Sequence, residues 1–166
     1  MKENLLLNQE ISENSKLIED IAFNISREFT QELDKVMGIC KSIFQSKDKI
    51  TNQEIEDLLA QLPSILYFVN EGQEAVGIKQ DIAEMTRKTN YNIAREKANG
   101  TIADKNTTAE GQVINEAINE IIYQRAYKLI RAKIEMAQEM VNSLKRIFDA
   151  RMMEYQIGNG VRRWVN

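Results

Sequence analysis

The chain has 166 residues, of which 43% are hydrophobic and 28% charged, and its net charge is −3. This hydrophobic fraction supports a folded core and excludes disorder of the whole chain, while a single proline and few glycines are typical of an all-helical protein. No apolar run approaches the roughly 18 residues that a membrane span needs, and the first ten residues do not form a signal peptide, so we expect a cytoplasmic protein without a membrane contact.

A first long helix is predicted over 15–45, because apolar residues recur there at steps of three or four. Residues 1–14 are polar and without pattern, and we expect them to form a flexible N-terminus. The lone cysteine, Cys40, falls on the apolar stripe of this helix, which places it in the core. The stripe comprises Ile18, Ile21, Ile25, Phe29, Leu33, Val36, Cys40 and Ile43.

Two further helices are predicted over 52–61 and 64–98. Thr51 and Glu54 have the spacing of a capping box, which marks the start of the first. Pro63 separates the two, because proline removes a helical hydrogen bond and disfavours helical geometry in the residue before it. Asn99 and Gly100 then form a strong helix end. The apolar positions of the longer helix are Ile65, Leu66, Val69, Val76, Ile78, Ile82, Met85 and Ile93.

The last helix is predicted over 107–155, with one apolar stripe throughout and a length of about 70 Å at 1.5 Å per residue. The remaining residues, 157–166, are interpreted as a flexible basic tail that contains Arg162, Arg163 and Trp164. The predicted fold is therefore all-α, a single domain over 15–156 that forms an elongated antiparallel helical hairpin or bundle with a very long C-terminal helix. The stripe comprises Ile118, Ile122, Ala126, Leu129, Met136, Met140, Leu144 and Ile147.

Catalytic chemistry finds little support in the residue types present. The sequence has no histidine, the commonest general base and metal ligand, and no glycine-rich phosphate loop. Two acidic pairs, Glu10 with Glu13 and Glu54 with Asp57, have the spacing that aims two carboxylates the same way on a helix, but solvated acidic faces explain them better. We therefore expect no enzyme activity, no metal and no cofactor.

Charge is distributed unevenly along the chain. Residues 1–75 contain 7 basic and 14 acidic side chains, and residues 76–166 contain 15 and 11. This asymmetry points to the C-terminal half as the place where a polyanion would bind, although acidic and basic faces of neighbouring helices could equally pair.

Basic and aromatic residues alternate on two predicted helix faces near the Asn99–Gly100 turn. Interleaved cations and rings suit a single-stranded nucleic acid, because cations neutralise phosphates while rings stack on bases. The same rows also fit ordinary packing pairs of tyrosine and arginine. The candidate nucleic-acid-binding residues are Arg87, Lys88, Tyr91, Arg95, Lys97, Lys105, Arg125, Tyr127, Lys128 and Arg131.

The stretch from Tyr91 to Thr101, the group Arg125 to Lys128, and the basic helix through Lys145, Arg146 and Arg151 together resemble the UvsY-like recombination mediators of tailed phages. The resemblance implies a ring-like homo-oligomer that binds single-stranded DNA and helps load a RecA-like recombinase in place of a single-strand-binding protein. By position, it also implies that the DNA-contacting stretch comprises Arg87, Tyr91, Arg95, Lys97 and Lys105.

A helical protein–protein interaction module, such as an adaptor or a phage inhibitor of a host or defence protein, is the alternative. It is motivated by the acidic first helix and by methionines near the C-terminal stripe, whose soft side chains suit adaptable interfaces. Both interpretations predict a homo-oligomer, because the apolar stripe of the last helix is wider than one partner helix would cover.

Overall fold

The computed structural model describes residues 2–45 and 50–163, with side chains described over 12–45 and 50–157. Within these ranges the chain forms four α-helices and no strand: α1 (Lys2–Gln45), α2 (Asn52–Lys97), α3 (Ile102–Gln112) and α4 (Ile114–Arg163). The all-α fold class and the very long C-terminal helix are confirmed, since α4 has 50 residues. In the described part of the chain, no helix is both long and apolar enough to cross a bilayer.

Pro63 lies inside α2, so the helices predicted over 52–61 and 64–98 are one continuous helix of 46 residues. A proline inside a helix costs about 3 kcal/mol, which predicts a break at Pro63. Packing of the neighbouring residues offsets this cost, and the sequence does not show that packing. Leu58 and Leu62 before the proline, and Val69 after it, are all buried. Burial on both sides of Pro63 stabilises the continuous helix.

The helix predicted over 107–155 is divided at Val113, where α3 ends and α4 follows at once. Thr101 caps α3 with a capping box: its backbone N–H donates to Asp104 Oδ2 at 3.0 Å, and Asp104 N–H donates to Thr101 Oγ1 at 3.3 Å. The Thr101 and Asp104 spacing is visible in the sequence and was the missed signal for this extra helix.

Both chain ends also differ from the prediction. α1 begins at Lys2 instead of residue 15, and α4 continues to Arg163 instead of ending near 155. Each residue added to an existing helix gains one backbone hydrogen bond, so a long helix extends into segments that lack an apolar stripe. The side chains of Arg162 and Arg163, and all of Trp164, lie outside the described residues.

The sequence predicts one domain over 15–156, whereas the structure divides the chain into two compact units. Unit 1 comprises Met1–Phe29 and Glu71–Arg131, and unit 2 comprises Thr30–Asn70 and Ala132–Asn166. The helices α1, α2 and α4 each contribute a segment to both units. Two units within continuous helices arise from long-range packing, which the sequence pattern does not reveal.

Unit 1 packs through small residues. On α1 the buried line is Ala22 and Ser26, while the predicted stripe residues Ile18 and Ile25 are only half-buried. Gly72 of α2 contacts the Phe29 ring so closely that an added Cβ would lie 2.5 Å from Phe29 Cδ1. Close helix approach therefore depends on small side chains. The buried residues of unit 1 are Ala22, Ser26, Val76, Ala94, Ala109, Val113, Ile122, Ala126 and Ile130.

Unit 2 has the larger apolar side chains in its core. Cys40 is fully buried there, as predicted, and burial raises the pKa of its thiol. At one edge Lys133 Nζ lies 2.6 Å from Asp34 Oδ2 and donates to the buried Thr30 hydroxyl at 2.8 Å. The buried apolar residues of unit 2 are Leu33, Val36, Cys40, Ile43, Ile55, Leu58, Leu62, Val69, Ile134, Ala137 and Leu144.

Candidate functional site

The segment of α2 in unit 1 exposes apolar side chains on the side opposite its buried face. Its buried face includes Val76, and Ile78 follows two residues later, about 200° around the helix. Ile78, Ile82 and Met85, three of the apolar positions of the predicted helix, remain 59%, 53% and 63% exposed. We call this surface the α2 outer face; it comprises Ala75, Ile78, Ile82, Met85, Thr89 and Asn92.

The first turns of α4 expose a second apolar surface. Ile114, Ile118 and Ile121 line a groove of about 590 Å³, and Arg87, Lys88 and Tyr91 of α2 form its other wall. Large aliphatic side chains of α4 therefore lie opposite three of the predicted nucleic-acid-binding residues of α2. Its lining suits an amphipathic protein segment better than a polyanion.

A second groove of unit 1, of about 470 Å³, lies between α1 and α4. Lys128 and Arg125 line it from α4, but Glu19 and Asp20 of α1 line it as well. Arg125 Nη1 lies 3.7 Å from Glu19 Oε1. The carboxylates offset the basic charge here, which disfavours a phosphate backbone in this groove.

Two more of the predicted nucleic-acid-binding residues have acidic partners. Arg87 donates from Nε to Glu120 Oε2 at 2.5 Å, and the two side chains are only 33% and 26% exposed. Lys88 pairs with Glu84 one turn earlier on α2. Its hydrogen bond to the Glu84 carboxylate lowers the pKa of that carboxyl. The Arg87 pair joins α2 to α4, so Arg87 has a structural role.

The two predicted tyrosines are partly exposed. Tyr127 is half-buried, and its ring lies 3.3 Å from the position that a Cβ on Gly77 would occupy. Tyr91 is also half-buried, in the wall of the first groove. Arg131, another predicted nucleic-acid-binding residue, is exposed on α4. Tyr127 is therefore a packing residue between α2 and α4 in unit 1.

Four predicted bases form no ion pair with a described carboxylate. Among the side chains that the structure describes, none of Arg95, Lys97, Lys105 or Lys128 lies within 4.0 Å of a carboxylate. Arg95 and Lys97 stand in the last turn of α2, where positive charge also stabilises the helix dipole. Lys105 lies on α3, beyond the turn at Gly100, whose φ of +107° favours glycine.

The acidic residues that the structure describes form no cluster of the kind that holds a metal ion. Across residues 12–45 and 50–157, no group of three His, Cys, Asp or Glu side chains has the geometry to hold a metal ion. Glu54 caps α2 instead: its carboxylate accepts the Thr51 backbone N–H at 2.8 Å, which lowers the pKa of the Glu54 carboxyl. The side chain of Glu10 lies outside the described residues.

Comparisons with known proteins find no matching family model, no matching curated protein and no matching solved structure. The site is therefore interpreted from the residues of this chain. The feature that sequence reasoning missed is the α2 outer face. Its signal was present, because Val76 and Ile78 are both apolar yet cannot lie on the same side of one helix.

Replacing Arg87 separates a structural role from a ligand-binding one. We expect Arg87→Ala to lower the free energy of unfolding by about 1–2 kcal/mol, because it leaves the half-buried Glu120 without its partner. Arg95→Ala, which removes an exposed and unpaired base, should change it by no more than about 0.5 kcal/mol. Urea unfolding followed by circular dichroism measures both variants, and equal losses would contradict the structural role of Arg87.

Proposed function

We propose that this protein is a non-enzymatic helical interaction protein that functions as a homo-oligomer. The observation that carries the proposal is the α2 outer face, an apolar line on a helix whose opposite face is already buried. Contiguous exposed apolar surface on a monomer marks an interaction site, because its exposure to water is unfavourable.

The charge arrangement of unit 1 supports the same proposal. Three predicted DNA-binding bases, Arg87, Lys88 and Arg125, have carboxylate partners within their own chain. The groove beside Arg87 and Lys88 is lined by three isoleucines. Apolar surface with a charged rim is the anatomy of a protein–protein interface.

The mass in solution tests this proposal. By light scattering at about 50 μM we expect a multiple of the 19.2 kDa chain mass. Ile82→Ser combined with Met85→Ser, Ile118→Ser and Ile121→Ser should give a folded protein of lower mass, since it removes apolar contacts from both exposed surfaces of unit 1.

Ile39→Ser is the matched control, because Ile39 is 53% exposed on α1 in unit 2. It should leave the mass unchanged. A wild-type protein that remains a 19.2 kDa monomer up to this concentration would contradict the homo-oligomer.

A second candidate function is single-stranded DNA binding in phage replication or recombination, in the cytoplasm of a bacterial host. The specific observation that favours it is that Arg95, Lys97 and Lys105, on the two sides of the turn at 98–101, form no ion pair with a described carboxylate. In this function the protein would help load a RecA-like recombinase in place of a single-strand-binding protein, as the UvsY-like resemblance implies.

Fluorescence anisotropy with a labelled single-stranded oligonucleotide tests the second candidate. The affinity should fall steeply as the salt concentration rises, because phosphate contacts release counterions. The triple variant Arg95→Ala, Lys97→Ala and Lys105→Ala should reduce the slope of log K against log salt by about 2, since each phosphate contact releases about 0.7 counterions. The control, Lys41→Ala with Lys145→Ala and Arg146→Ala, removes the same charge from unit 2. Equal effects of the two triple variants, or no binding at low salt, would exclude this site.

A further inference from the structure

The α2 outer face, extended at its ends by Glu71 and Glu96, has the spacing of a coiled coil, with large apolar residues at its centre. From Glu71 to Glu96 the exposed positions advance by alternating steps of four and three, which is the spacing of the a and d positions. Both ends of the line are glutamates, and its centre is apolar. The positions are Glu71, Ala75, Ile78, Ile82, Met85, Thr89, Asn92 and Glu96, and every one is exposed.

The charges beside this line have an order of their own. The four g positions of the same heptads are Glu74, Asp81, Lys88 and Arg95, each exposed and seven residues after the last. Two acids therefore precede two bases along one edge of the face. In coiled coils, charges at g positions set which helix pairs with which and in what direction.

We propose that the α2 outer face binds the same face of a second copy of this chain, in antiparallel orientation about a two-fold axis. This inference rests on the proposed function and names its surface. When Ile82 of one copy lies level with Met85 of the second copy, Glu74 lies beside Arg95 of the second copy. Asp81 then lies beside Lys88 of the second copy, and the two-fold axis repeats both pairs.

The antiparallel direction follows from the charges. It gives four opposite-charge pairs along the g edges, and the two-fold closes the assembly with the same surface on both chains. A parallel arrangement sets each g position against the e position five residues later in the partner, which matches only Glu74 with Lys79 and leaves Asp81 facing Thr86. Opposite charges at close range favour the first arrangement.

The seam between the two copies is short and apolar at its centre. In this register Ile82 of each copy lies level with Met85 of the second copy and forms the central layers. Ile78 lies level with Thr89 of the second copy, and Ala75 lies level with Asn92. Glu71 and Glu96 meet at the ends and limit the seam. Lys88 already contacts Glu84 of its own helix, but its side chain is 63% exposed and free to reach Asp81 of the second copy as well.

Complementary charge reversal tests the pairing. One variant carries Glu74→Lys and Asp81→Lys, and the other carries Lys88→Glu and Arg95→Glu. Each variant alone places only like charges along both g edges, so its dissociation constant should rise at least tenfold by sedimentation velocity. An equimolar mixture restores all four opposite-charge pairs and should recover the wild-type association.

The control carries Glu139→Lys and Glu154→Lys, two exposed acids of unit 2, and should associate as the wild type does. Circular dichroism confirms that each variant is folded, and recovery in the mixture independently requires folded chains. If the reversed variants associate as the wild type, or if the mixture does not recover, the antiparallel α2 pair is overturned while the homo-oligomer stands. A monomeric wild type overturns both.

Discussion

The structure depends on one constraint: α2 buries one face within unit 1 and leaves apolar side chains exposed on the opposite face. Val76 is fully buried within unit 1, while Ile78 and Ile82, on the other side of the same helix, remain more than half exposed. Exposed apolar side chains on a helix are stabilised when a second partner covers them. One partner of α2 is the rest of unit 1, and the proposed second partner is another copy of the chain.

The distribution of charge follows from the same packing. Arg87 and Asn90 of α2 face α4, where they bind Glu120 and Glu116. These side chains hold α2 against α4. The charged side chains of α2 that another molecule can contact therefore lie on its outer side and in its last turn. Along that outer side the acids precede the bases. This order matches another α2 that runs in the opposite direction better than it matches the uniform negative charge of a nucleic acid.

The sequence predicted what depends on local pattern. The helical class, the end of α1 at Gln45 and the burial of Cys40 all follow from apolar periodicity and composition. What it missed depends on tertiary packing. Pro63 was interpreted as a break because the burial of Leu62 and Val69 around it was not known, and α3 was missed although Thr101 and Asp104 form its capping box.

The candidate site was predicted less well, for the same reason. A list of bases and tyrosines on helix faces does not show which of them have partners. Arg87 has its carboxylate partner on α4, Lys88 has one on α2 itself, and Arg125 has one on α1. Tyr127 packs against Gly77. Arg95 and Lys97 are exposed, and Lys105 is half-buried. Pattern identifies the residue types, and packing decides their roles.

Disulfide cross-linking tests the central claim, that a second copy covers the α2 outer face, most directly. An equimolar mixture of the Ile82→Cys and Met85→Cys variants places two thiols in one layer of the antiparallel pair, within the roughly 4.4–6.8 Å between Cα atoms that a disulfide requires. The native Cys40 is buried and stays inert. The account predicts that the mixture forms a covalent dimer faster than either variant alone and far faster than Glu139→Cys. A mixture that cross-links no faster than Glu139→Cys would contradict it.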